Sequence, residues 1–182
     1  LSKASDIRDF EIQGLTIGDS LLEMYSNKEI KEFMKSDIQV NFYPKSKKFF
    51  LLATPGIDDS FDQLNVDLKY LDNEYILYGL SQYKRMEIKK CLEETKVISK
   101  EIRQMFPSNE IDEDTFEGVH RIDKTGQSKY FTTKFTLFNG DAIRIVCTRW
   151  GKEFKKKGHY KDNLDVSLVS KEYLDFLINE AY

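Results

Sequence analysis

Apolar and polar residues alternate most regularly from Ser128 to Trp150. Phe131, Thr133, Phe135 and Leu137 take one set of positions, and Tyr130, Thr132, Lys134 and Thr136 take the other. Beyond Asn139-Gly140, Ile143, Ile145 and Cys147 are set against Arg144, Thr148 and Trp150. A period of two predicts a pair of half-buried strands about a tight turn. Asn-Gly alone suggests a two-residue type I′ loop. That register would face Phe135 with Arg144 and Lys134 with Ile145, and a one-residue slip turns over every side chain of a strand. The pattern therefore selects a three-residue loop, Phe138-Asn139-Gly140, with Gly140 left-handed. Leu137 then faces Asp141, Phe135 faces Ile143, Thr133 faces Ile145, and Phe131 faces Cys147.

Helical periodicity is clearest from Met86 to Phe106. Ile88, Cys91, Leu92, Thr95, Ile98, Ile102, Met105 and Phe106 recur at three- and four-residue steps, and Pro107 ends the run. Before it, Asp19 is read as a helix N-cap, with a restart at Ser26 and Glu29, which have capping-box spacing. Phe10 to Gln13 alternates weakly and predicts an edge strand or packed arm. Phe49 to Ala53 reads as a buried strand stopped at Pro55-Gly56. Leu64, Val66, Leu68 and Tyr70 lead through Asp72-Asn73 into a second hairpin pairing Tyr70 with Tyr75 and Leu68 with Leu77. Glu110 to Asp114 reads as an acidic loop, Phe116 to Ile122 as a short strand, and Lys152 to Lys161 as a basic loop. Leu164, Val166 and Leu168 form a last strand, and Ser170 opens a final helix, Lys171 to Ala181.

The elements predict an α+β fold: antiparallel β-meander sheet or sheets with helices packed on one face. No Pro/Ser linker or low-complexity segment divides the chain, so residues 1–182 are expected to form one domain, divisible into helix-plus-meander halves at 10–84 and 85–182.

With 182 residues the chain is long enough for one well-buried core. A net charge of −3 gives no global drive toward nucleic acid or anionic membrane. No apolar run approaches the roughly 18 residues that span a bilayer. The chain begins at Leu1, which admits a cleaved signal peptide.

Candidate chemistry is sparse. Gly18-Asp19-Ser20-Leu21 spells the motif of the GDSL esterases and lipases, whose nucleophile is that serine. A serine nucleophile needs a base and oxyanion donors. The family's base sits three residues after an aspartate. Here the histidines are His120, preceded at that spacing by Glu117, and His159, preceded by Lys156. The family's Gly-x-Asn-Asp string is absent too, so Ser20 is read as part of a turn and helix cap. Cys91 falls on the helix stripe and Cys147 on the apolar face of a central strand. They are either two buried thiols or a helix-to-sheet disulfide. Neither has the spacing of a zinc or redox site, and no cofactor or metal ligand set is expected. Lys155, Lys156, Lys157, His159 and Lys161, with Arg144 and Arg149 nearby, form a candidate anion-binding patch. No nucleic-acid motif accompanies it, so nucleic acid is disfavoured as a partner. The acidic stretch from Glu110 lacks the glycine and terminal glutamate of a calcium loop.

One further likeness rests on three strings: Gly14-Leu15-Thr16-Ile17-Gly18-Asp19-Ser20-Leu21-Leu22; Asn139-Gly140 with Cys147 and Trp150; and Asp162-Asn163-Leu164 with Ser170-Lys171-Glu172. Together they resemble an uncharacterised group of small marine bacterial proteins of unknown function. The resemblance implies a bacterial, exported origin and carries no activity. The order of glycine turn, helix and antiparallel strands is also similar to small periplasmic modules like β-lactamase inhibitor protein, a fold-level analogy that transfers no function. These readings favour a non-catalytic module that binds a protein or small ligand, with a cleft enzyme built on His120, His159 or paired carboxylates as the alternative.

Overall fold

The computed structural model describes residues 6–55, 61–106, 109–158 and 160–182. Gly56, Pro107, His159 and the first five residues, on which some of the expectations fall, lie outside them. The first half carries α1 (Asn27–Phe33), β1 (Val40–Phe42), β2 (Phe49–Thr54), β3 (Gln63–Lys69) and β4 (Leu77–Arg85). The second carries α2 (Ile88–Met105), β5 (Ile111–Val119), β6 (Lys129–Leu137), β7 (Ala142–Arg149), α3 (Lys152–Lys156), β8 (Asn163–Val169) and α4 (Lys171–Asn179). All eight strands join one antiparallel sheet in the order β1-β2-β3-β4-β8-β7-β6-β5. Each half is thus a helix followed by a four-strand meander. The last strands of the two meanders, β4 and β8, pair at the centre, and α2 carries the chain from there to the far edge. The fold is α+β with a meander strand order.

Alternation sorts the strands into two faces. Phe50, Leu52, Leu64, Val66, Leu68, Leu80, Phe135, Ile143, Ile145, Leu164, Val166 and Leu168 all point to one side and are buried with Ile30 of α1 and Cys91 and Ile102 of α2. Each such side chain removed from water contributes about 1.5–3 kcal/mol, which makes this layer the main source of stability. On the other side Phe49 and Val169 pack against Tyr173, Phe176 and Ala181 in a smaller cluster. Helices α1 and α2 cover one face, and α4 covers one end of the other.

Local side-chain caps open two of the four helices, α1 and α4. Ser26 and Glu29 close the capping box expected of them, with Ser26 N donating to Glu29 Oε2 at 2.8 Å and Glu29 N to Ser26 Oγ at 3.3 Å. Ser170 Oγ caps α4 through Tyr173 N at 3.2 Å. Asp19 is not a cap. The cap is Ser20, and the segment it opens is a single 3-10 turn, Leu21–Glu23. Phe10 to Gln13 forms no strand; Ile12 makes one isolated bridge to Leu15.

Three further expectations are corrected. Leu68 does pair with Leu77, but Tyr70 and Tyr75 do not extend the ladder. Asp72 instead gathers the turn, accepting from Glu74 N at 2.9 Å and Ile76 N at 3.0 Å. The expected acidic loop is the beginning of β5, a nine-residue edge strand. Charge density misleads there because an edge strand exposes both faces and charges on it cost little. The basic loop begins as helix α3.

The central hairpin takes the three-residue loop. Phe135 pairs with Ile143, Thr133 with Ile145 and Phe131 with Cys147, Gly140 N donates to Leu137 O at 2.9 Å, and Gly140 has φ +90°. A Cβ there would also stand 2.8 Å from Lys171 Cδ. Gly140→Val is therefore expected to destabilise by roughly 1–2 kcal/mol, since a β-branched residue clashes in the left-handed region. A urea midpoint equal to that of the wild type would show the loop geometry to be wrong.

Candidate functional site

Among the described residues no helix packs over the middle of the sheet face opposite α1 and α2. The register lays its side chains out in rows across the strands. One row runs Ala53, Asn65, Ser81, Ser167, Arg144, Lys134, Asp114. The next runs Gln63, Tyr83, Asp165, Val146, Thr132, Phe116. A shorter one holds Arg85, Asn163, Thr148, Tyr130 and Gly118. The Tyr130 ring lies over Gly118, where a Cβ would meet its hydroxyl at 2.4 Å, and packs edge-on to Phe116 with centroids 6.4 Å apart. Although uncovered, the floor is poorly hydrated: Ser167 and Thr148 are 8% exposed and Thr132 1%.

Two carboxylates on this face have unusual surroundings. Asp67 of β3 accepts from Tyr173 Oη at 2.6 Å and from Tyr43 Oη at 3.3 Å, and the two phenols also contact each other. Gly79 stands opposite Asp67 in the ladder, and a Cβ there would clash with the Asp67 carboxylate; the glycine makes room for it. Burial outweighs the two phenol bonds and raises the Asp67 carboxyl to about 7. Burial likewise raises Asp165 to about 6, against the pull of Arg144 and bonds from Ser81 and Ser167.

At the end of this face Trp150 is packed by His120, Phe154 and Tyr160, with ring centroids 4.5, 5.4 and 4.6 Å away. His120 is thus packed on the Trp150 ring, its pKa lowered by burial and then by Arg121. Asp123, beneath the adjoining turn, accepts from Ser128 N at 2.7 Å and Thr125 Oγ1 at 2.6 Å. These bonds lower its pKa and identify it as a turn organiser.

The expected basic patch does not converge. Lys155 is paired with Asp162 at 2.8 Å and Lys156 with Glu153 at 2.7 Å. Lys157 sits 4.6 Å above the Phe154 ring. Lys161 and Lys155 line a cleft of about 390 Å³ with Arg85, Met86, Glu87 and Asp162, so its cations are opposed by two carboxylates. His159 lies outside the described residues. Cys91 and Cys147 are joined in a disulfide with Cα atoms 5.9 Å apart. Among the described residues no group of three or more His, Cys, Asp or Glu is placed to hold a metal, and no helix is long and apolar enough to cross a membrane.

Ser20 lacks the surroundings of a nucleophile. Its hydroxyl donates to the Glu74 carbonyl and accepts from Leu22 N at 3.1 Å, and Asp19 Oδ2 is taken by Thr16 N at 2.8 Å. A carbonyl accepts a proton's hydrogen bond but does not remove the proton, so fluorophosphonate is expected to leave Ser20 unlabelled. A covalent adduct at Ser20, lost in Ser20→Ala, would contradict this.

The sequence reading missed Asp67, Asp165, Tyr43 and Tyr173, and nothing local marks them. The juxtaposition of Lys134 with Arg144 was available, since it follows from pairing Phe135 with Ile143. Comparison of the chain with protein-family models, with curated proteins and with solved structures returned no match.

Proposed function

We propose that this chain is a non-catalytic binding module, exported to an oxidising compartment such as the bacterial envelope, and that its uncovered sheet face receives a protein partner. The observation that carries the reading is that face itself: rows of polar and aromatic side chains across up to seven strands, without a helix over the middle. Six inter-strand steps of about 4.8 Å, from β2 to β5, and about 20 Å along the strands give roughly 600 Å². A standard interface uses about 800 Å² per partner. Its mixture of Tyr, Phe, Thr, Ser and Arg suits a non-obligate interface, which is no more apolar than ordinary surface. Export is supported by the Cys91–Cys147 bond, because disulfides persist chiefly in oxidising compartments.

A cleft enzyme is the second reading, favoured by the raised carboxyls of Asp67 and Asp165 on one face. The two phenols that close over Asp67 weigh against it.

A photo-crosslinking residue placed at Tyr83 on the face, with Lys96 on α2 as control, separates these. A partner captured from the source organism through position 83 and absent from position 96 is expected, and it should then bind the purified chain directly. Equal capture from both positions, or turnover of a small molecule abolished by Asp165→Asn, would overturn the module.

A further inference from the structure

We infer that the uncovered face binds, over β6 and β7, an acidic, extended segment of a protein partner, with Lys134 and Arg144 taking its carboxylates. This rests on the binding-module reading and gives the partner's chemistry. Lys134 of β6 and Arg144 of β7 stand directly opposite each other in the ladder, and both are part-buried. Like charges directly opposite on neighbouring strands destabilise a sheet, so the pair works against the fold that carries it. Nor does it follow from general basicity, because the chain's net charge is −3.

Among the described residues no acid closes an ion pair within 4 Å with either cation. Asp114 is the ladder partner of Lys134, yet among the described residues it forms no ion pair with it within 4 Å. Its neighbours Glu113 and Glu117 are paired, with Arg103 at 2.5 Å and Lys129 at 3.8 Å. Asp165 attracts Arg144 but closes no ion pair with it either. One row away the Thr132 hydroxyl is buried without a hydrogen-bond partner. The poorly hydrated floor strengthens any charge pairing made on it. Opposed residues lie about 5 Å apart at Cα, close to the roughly 6.8 Å between alternate residues of an extended chain. Two acids in an x-Glu-x-Glu segment can therefore reach both cations, with the guanidinium fork accepting one carboxylate through two bonds.

The test is titration of the full chain at low salt with a labelled (Glu-Ser)₄ peptide, with (Lys-Ser)₄ and inorganic phosphate as comparisons. The Glu peptide is expected to bind, and Arg144→Gln with Lys134→Gln should weaken it at least about tenfold, the loss typical of removing close interfacial charge pairs. Lys155→Gln with Lys161→Gln should leave it unchanged. Because the cation pair opposes folding, the Lys134→Gln melting temperature should equal or exceed the wild type's, which keeps a binding loss distinct from unfolding. Failure of the Glu peptide to bind would overturn the inference, as would indifference to the Lys134 and Arg144 changes. So would preference for the Lys peptide, or phosphate saturating the two cations while the Glu peptide stays excluded. If the Glu peptide fails while crosslinking through position 83 persists, the acidic partner falls and the binding module stands.

Discussion

Reduction of the Cys91–Cys147 bond is expected to destabilise the protein by about 4 kcal/mol in the chain-entropy model, given the 56-residue separation. At this chain length that corresponds to a fall in Tm on the order of 10 °C. The bond ties α2 to β7, and the loop it closes contains β5 and β6. Without it the unfolded chain regains the freedom of all that intervening sequence. Free-thiol counts in denaturant should be zero before reduction and two after, and the Cys91→Ala/Cys147→Ala variant should melt with the reduced wild type. Two thiols before reduction, or a midpoint unmoved by reductant, would remove both the stabilisation and the argument for export.

Stability is also expected to fall as pH rises from about 4 to about 7, opposite to the trend that paired surface carboxylates produce. In the folded protein Asp67 is raised to about 7 and Asp165 to about 6, burial being the first cause of each. An unfolded aspartate titrates near 3.9. Between those values the native state holds protons that the unfolded state has lost, so each step up in pH favours unfolding. The contribution is fully present below about pH 4, is lost through the folded pKa values and is level above them. At about 1.4 kcal/mol per pKa unit, discounted for partial exposure, the two groups together account for a few kcal/mol between pH 4 and pH 8. Asp67→Asn keeps the shape without the charge. It should flatten most of the slope and be more stable than wild type at pH 8. Urea melts at pH 5 and pH 8 measure this, and a wild type more stable at pH 8 would refute it.

The uncovered face was only partly legible in the sequence. The hairpin pattern carried the register that sets Lys134 against Arg144, because period-two alternation is a local property. Asp67 looked like any polar position of an alternating strand. Its environment depends on Tyr43, 24 residues away, and Tyr173, 106 residues away, and on Gly79, which faces it across the ladder. No local pattern encodes such distances. The basic stretch at Lys155 to Lys157 stood out in sequence but is largely absorbed by Asp162, Glu153 and an aromatic ring.

The sequence by itself determined the strands β2, β3, β6, β7 and β8, the long helix α2, the Ser26 and Ser170 caps and the left-handed turn at Gly140. Each of these follows from side-chain periodicity, backbone preference or hydrogen bonds spanning a few residues. Tertiary structure alone decided that β4 and β8 meet to fuse two meanders into one sheet. It alone decided that an acidic stretch becomes edge strand β5, and that Cys91 lies directly over Cys147 within bonding distance. Those outcomes depend on which of several compatible surfaces pack together. The free energy that selects among them comes from burying residues distant in sequence, which no window along the chain contains.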